Sequence, residues 1–219
     1  MKIEIKLTND NSHTLFIPEL DETYHSIHGA VQEANHVFID AGLKYFSTKH
    51  LSVLEVGFGT GLNALLTSIY AEKNKIHIDY NSVELYPLKK ELIEQLNYTN
   101  VIKESSQELF LSIHNCSWEE RNKISTCFNL TKINKSILED VDLSEIDLVY
   151  FDAFGPEVQP EIWSKEVFEQ VFKMLKPNGI LVTYCAKGIV KRTLKEVGFT
   201  VENLPGPPGK REMTRAIKC

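Results

Sequence analysis

One segment constrains the fold of this chain more than any other: Leu51-Ser52-Val53-Leu54-Glu55-Val56-Gly57-Phe58-Gly59-Thr60-Gly61-Leu62-Asn63. It reads as a buried strand, a loop with glycine at every second position, and the start of a helix. Glycines permit the tight backbone and let a ligand lie against the main chain without Cβ clashes. The dinucleotide fingerprint G-x-G-x-x-G or A would place a small residue at position 62, where Leu62 stands. A G-x-G-x-G loop after an acidic strand residue suits S-adenosylmethionine better than NAD. The candidate cofactor residues are therefore Gly57, Gly59 and Gly61, with Asn63 at the helix start. Glu84, which closes the next strand, is placed to accept hydrogen bonds from both ribose hydroxyls. Glu55 is either a ligand contact or a partner of the helix dipole.

Around this segment strands and helices alternate in the rhythm of a parallel sheet. The pattern predicts strands at Leu51–Val56, Ile76–Val83, Thr126–Ile133, Asp147–Asp152 and Ile180–Cys185. It predicts helices at Leu62–Tyr70, Pro87–Leu96, Glu104–Ile113, Pro160–Leu175 and Ile189–Val197. Lys176-Pro177-Asn178-Gly179 reads as a turn, and Phe199–Glu202 and Glu212–Ile217 as a last strand pair. Ile3, Ile5 and Leu7 alternate with polar residues before the turn formers Asn9–Ser12, so a hairpin opens the chain, and a helix follows from Ala30 to Ala41. The expected fold class is α/β, a Rossmann-like doubly wound sheet, with residues 1–50 as an N-terminal hairpin-and-helix extension and 51–219 as the main domain.

The second constellation is Leu148-Val149-Tyr150-Phe151-Asp152-Ala153-Phe154-Gly155-Pro156. A carboxylate at the carboxyl end of a parallel strand points into the crevice where doubly wound proteins bind ligands. Methyl transfer is an in-line displacement at a sulfonium methyl and needs a neutral, aligned nucleophile. Asp152 is the candidate catalytic residue, able to accept an amine's hydrogen bond and proton, and Phe154 is able to stack on a planar base.

Composition narrows the class. The formal charge of −6 argues against a protein that coats nucleic acid indiscriminately, yet from Tyr184 to Cys219 eight cations stand against three anions. One face is thus fitted for an anionic partner, unless it is a solvated helix face. The four cysteines are widely spaced and the seven histidines show no H-E-x-x-H pattern, so neither a disulfide framework nor a metal site is expected. The short apolar runs and the start Met1-Lys2-Ile3-Glu4 suggest neither a membrane span nor a leader, and a cytoplasmic setting is expected.

These residues together resemble the 5-methylaminomethyl-2-thiouridine methyltransferase family, the methyltransferase half of a bifunctional tRNA wobble-uridine modification enzyme. The matching stretches are Tyr24-His25-Ser26 with Glu33 and Val37-Phe38, the glycine loop through Asn63, and Asp152–Pro156 followed by Trp163. Pro177-Asn178-Gly179, Lys187-Gly188-Ile189-Val190-Lys191-Arg192 and Gly209-Lys210-Arg211-Glu212-Met213 complete them. The resemblance implies methyl transfer from S-adenosylmethionine to the amine of 5-aminomethyl-(2-thio)uridine at the tRNA wobble position, with Asp152 catalytic. It also implies Tyr24, Glu33 and Glu84 beside the glycine loop on the cofactor. Phe154, Lys187, Lys191, Arg192, Lys210 and Arg211 would then meet the tRNA anticodon stem-loop. A separate flavin-dependent oxidoreductase would act upstream, since the 219 residues are expected to be used up by the methyltransferase. The chain departs from the family at Asn134-Lys135-Ser136, where Gly-Asp is usual, and at Gly206-Pro207-Pro208-Gly209, ahead of Lys210. The competing readings are an aminopropyltransferase-like or other small-amine methyltransferase and a non-catalytic tRNA-binding protein of the same fold.

Overall fold

The structure, a computed structural model, describes residues 2–219. The central sheet is built on β4 (His50–Val56), β5 (His77–Val83), β7 (Phe128–Ile133), β8 (Ile146–Phe151) and β9 (Leu175–Thr183), all parallel. β6 (Arg121–Lys123) closes one edge antiparallel to β7, and β11 (Glu212–Lys218) and β10 (Phe199–Pro205) close the other, giving the order β10-β11-β9-β8-β4-β5-β7-β6. From β4 the chain moves outward through β5 to β7, then returns to lay β8 on the other side of β4. The β4/β8 boundary is therefore the switch point, where a crevice opens beyond the strand ends.

Period-two alternation fills both faces of the sheet. Leu148 and Tyr150 pack into one buried cluster with Val53, Leu65 and Phe110, whereas Val149 and Phe151 point the other way, to Val167, Phe168 and Leu194. Helices α2 (Leu62–Asn74) and α5 (Gln107–Asn115) cover the first face, and α6 (Lys165–Met174) and α7 (Gly188–Val197) cover the second. That is the expected doubly wound, class I methyltransferase-like α/β architecture. α7 ends at Gly198, which takes φ +117°, as a helix stop should.

Three predicted helices are shorter than their patterns. Pro87–Leu96 gives only one turn, α3 (Lys90–Ile93), followed by α4 (Tyr98–Val101), because the chain is still extended at Lys89 as it runs along the crevice rim. Pro160–Leu175 divides into a 3-10 turn, Pro160–Trp163, and α6, which starts where the Ser164 hydroxyl accepts from Val167 N–H. The Lys176–Gly179 turn lies inside β9, as an irregular step with Asn178 at φ 65°.

The N-terminal segment forms β1 (Glu4–Leu7), β2 (His13–Ile17) and the short β3 (Glu22–Thr23). The third shortened helix is here: α1 covers Ala30–Ala34 and widens into a π turn at Asn35–Asp40, with Ala41 N–H bonded to His36 O. The start of α1 is capped from the hairpin: Ser12 Oγ accepts from Ala30 and Val31 N–H, and Asp10 Oδ2 accepts from Gln32 N–H at 2.9 Å. This cap satisfies donors that a helix end leaves free, and it holds the segment carrying Tyr24, His25 and Glu33 over the crevice. No helix among the described residues is long and apolar enough to cross a membrane.

Candidate active site

Main-chain hydrogen bonds line up the ends of four strands. Asp152 N–H donates to Val56 O, Gly57 N–H to Val83 O, and Glu84 N–H to Ile133 O, each at 3.0 Å. These bonds bring the glycine loop, Glu84 and Asp152 to one opening, a cavity of about 1100 Å³. That exceeds what one cofactor of adenosylmethionine size fills and leaves room for an acceptor.

The loop is tightly placed. Gly57 has φ +94°, and a Cβ there would lie 2.7 Å from Asp152 O, so only glycine lets β4 and β8 deliver both motifs to the same point. Gly59, at φ +47°, faces the Tyr24 ring, and its N–H donates to Glu84 Oε2 at 3.0 Å. Glu84 Oε1 accepts from Tyr86 N–H at 2.8 Å. Two backbone donors thus fix a carboxylate that still has lone pairs for ribose hydroxyls. Asn134 Nδ2 donates to Glu84 O and Leu85 O, so the departure at Asn134-Lys135-Ser136 ties the two loops on this side together, while Lys135 and Ser136 line the cavity.

Tyr24 joins the two halves. Its ring lies beside Gly59 and meets Phe154 edge-on at 5.0 Å between centroids. Burial, with the charge of Glu84, pushes its phenol up to about 12, so it stays neutral. Asp152 receives one side-chain hydrogen bond, from Asn63 Nδ2 at 2.7 Å, and burial raises its carboxyl well above the usual carboxylate range.

Of the candidates read from sequence, Tyr24, Glu33, Gly57, Gly59, Asn63, Glu84, Asp152, Phe154 and Lys210 share the cavity wall, whereas Glu55 and Gly61 lie behind it. Glu55 is fully buried and accepts from Ser82 Oγ at 2.6 Å, leaving Oε1 without a partner. Burial pushes its carboxyl up to about 8. It supports the loop from beneath.

The basic residues are divided rather than gathered on one face. Lys210 turns inward to Glu33 at 2.6 Å, Lys191 pairs with Glu212 at 2.9 Å, and Lys187 pairs with Glu157. Arg192 and Arg211 remain exposed. Lys210 thus stands apart from the exposed cations, its ammonium already engaged.

Residues not picked out as site residues from the sequence complete the site. Tyr184 lines it, just past the carboxyl end of β9, and donates from its hydroxyl to Ala153 O at 2.8 Å. The strand-end argument that selected Asp152 applies to Tyr184 equally. Trp163 Nε1 donates to Phe154 O at 2.7 Å and steadies the same loop. Thr60 is held from three sides: by His25 Nε2, by the Tyr98 hydroxyl, and by His114 Nε2 on its carbonyl. Burial takes both histidines down to about 4, so both stay neutral near pH 7. No local pattern marks that constellation, because its members come from four distant stretches.

Glu55 generates a stability prediction. Its folded carboxyl titrates near 8 and an unfolded one near 4.5, so wild-type stability is lost as pH rises through this window. Glu55→Gln removes the loss while preserving an acceptor for Ser82. Denaturant melts should show the variant equal to wild type near pH 4.5 and more stable by roughly 2–4 kcal/mol at pH 8. Equal stabilities at pH 8 would mean that Glu55 is ionised in the fold.

Comparison with known proteins agrees with this geometry. The S-adenosyl-L-methionine-dependent methyltransferase family profile matches residues 95–219. The bifunctional protein MnmC of tRNA 5-methylaminomethyl-2-thiouridine biosynthesis is 29% identical in Cupriavidus metallidurans and 30% identical in Leptospira interrogans. These matches cover 96% and 94% of this chain, but only 33% and 34% of those proteins. The chain therefore spans about a third of the length of the curated relatives it matches. The crystal structure of MnmC2 from Aquifex aeolicus superposes with a TM-score of 0.77 at 25% identity, covering 98% of this chain and 69% of that one. Spermidine synthase from Thermotoga maritima, at a TM-score of 0.57 and 12% identity over 100% of this chain and 72% of its own, shares the fold alone. The chain belongs to the S-adenosyl-L-methionine-dependent methyltransferase family.

Proposed function

We propose that this methyltransferase acts on the primary amine of 5-aminomethyl-(2-thio)uridine at the wobble position of tRNA. The observation that carries the reading is the carboxyl of Asp152, held by one donor in a cavity shared with the glycine loop and lined by Tyr24, Phe154 and Tyr184.

The cofactor, when bound, supplies an electrophilic methyl on a sulfonium. Gly57 and Gly59 would admit it against the main chain, and Glu84 would hold its ribose hydroxyls. Phe154, steadied by Tyr24 and Trp163, offers a face to the uracil ring. Asp152 would accept a hydrogen bond from the amine, align its lone pair and take the proton released as the N–C bond forms and the methyl–sulfur bond breaks, the sulfur leaving as a neutral thioether. Burial makes this carboxylate a stronger base than an exposed one, which suits an amine proton. The exposed Arg192 and Arg211 are candidates for the phosphates of the anticodon stem-loop.

The test is nucleoside mass spectrometry after incubation with labelled adenosylmethionine and tRNA carrying either 5-aminomethyluridine or 5-carboxymethylaminomethyluridine. The first should gain one methyl on the amine. The second should be unchanged by this chain, because its substituent crowds the line of attack and brings another carboxylate toward Asp152 and Glu33. A separate oxidoreductase would be needed upstream. Asp152→Asn should slow the first reaction by about two to four orders of magnitude with cofactor affinity little altered. Parental turnover in that variant would remove Asp152 from the chemistry.

RNA binding offers a separate check. If Arg192 and Arg211 each meet one phosphate, replacing both by alanine should flatten the log–log salt dependence of tRNA binding by about 1.4, at about 0.7 per contact for a single strand. An unaltered slope would make them merely solvated.

A further inference from the structure

Lys210 and Glu33 stand 177 positions apart in sequence, yet their side chains meet at 2.6 Å on the cavity wall. Glu33 is buried, and its second oxygen accepts from Ser26 N–H at 2.8 Å. The Lys210 ammonium lies 3.9 Å from the centre of the Tyr184 ring, and Tyr184 in turn donates to the carbonyl of Ala153, beside Asp152. Neighbouring contacts seat the loop that carries Lys210: His36 Nε2 is 2.8 Å from Pro205 O, and Gly209 packs so closely on the His28 ring that a Cβ there would clash. Lys210 is thereby held at the acceptor side of the cavity.

Desolvation disfavours the ionised form of Asp152, the form that takes a proton from an amine, so a nearby charge bears directly on its role. Around Asp152 stand Asn63 from α2, which donates to it, and on the same cavity wall Glu33 from α1, Tyr184 beyond β9 and Lys210 from the loop after β10, with Glu55 of β4 and Tyr80 of β5 buried in the sheet. Among these, Glu33 is the carboxylate that opposes ionisation, and Lys210 is the cation that favours it.

We propose that the Glu33–Lys210 ion pair tunes the acceptor carboxylate, Lys210 favouring the ionised form of Asp152 and Glu33 opposing it, so that both are positioning residues for the proton-accepting group. The inference rests on the reading that Asp152 receives the amine proton. It assigns Lys210 to the amine pocket, not to the RNA phosphates. It also gives a reason for the terminal regions to meet over the cavity: the charge that adjusts the base arrives only when the late loop docks on the early helix.

Opposite charges make opposite predictions, which a purely structural tie between the two segments does not. The experiment follows the Asp152 carboxyl by carbon-13 NMR in aspartate-labelled protein, with the resonance identified by its loss in Asp152→Asn. Lys210→Met should raise the titration midpoint by about one pH unit, and Glu33→Gln should lower it by a similar amount. The double variant should return close to wild type, and Lys210→Arg should leave the midpoint unchanged. The acid limb of the pH–rate profile for tRNA methylation should move in the same directions. Midpoints that stay put, or that move the same way in both single variants, overturn the proposal. Should Lys210→Met fail to fold, Glu33→Gln decides alone, with an unmoved midpoint counting against the pair. A wild-type protein whose variants titrate as expected but which methylates no tRNA would defeat the functional reading while leaving the tuning of Asp152 intact.

Discussion

The close approach of two strand ends is the constraint on which the site depends. β4 and β8 are hydrogen-bonded neighbours, and where they finish the backbone of Gly57 passes so near Asp152 O that no side chain fits between them. The glycine there does more than shape a ligand loop. It allows a carboxylate from one strand and a cofactor loop from the next to share one cavity. Asn63, at the first turn of α2, then reaches across the same gap to Asp152. Strand pairing, helix start and candidate chemistry are thus coupled within a few residues.

Around that junction the molecule isolates charge. Glu55, Asp152 and Glu33 occupy desolvated positions, each with a different local remedy. Glu55 stays neutral beneath the loop, Asp152 takes a single amide donor, and Glu33 receives a lysine and a backbone N–H. Buried carboxylates cost stability unless they are protonated or paired. Their concentration beside one cavity fits the proton transfer proposed for Asp152.

Local and long-range signals differed in how far they could be read from the chain. The alternating strands, the Gly57–Gly61 loop and the position of Asp152 were legible because each depends on residues adjacent in sequence. Lys210 was read only as one cation of a basic run, because charge runs report exposure statistically and its partner Glu33 comes from a distant part of the chain. Tyr184 was overlooked because the pattern placed it inside a buried strand, Ile180–Cys185, whereas the strand ends at Thr183. The helix expected from Pro87 to Leu96 was truncated by the need to keep an extended rim along the cavity, a tertiary demand that outweighs local periodicity. The three-sided grip on Thr60 has no signature short of the fold itself.

The most direct test of the account is a crystal structure of the protein with sinefungin, an adenosyl analogue carrying an amine where the cofactor carries its methylsulfonium. The account predicts the ribose hydroxyls on Glu84, the amino acid portion along Gly57 and Gly59, and the analogue's amine turned toward Asp152. An analogue bound away from the ends of β4 and β8, or one whose amine is turned from Asp152, would contradict it.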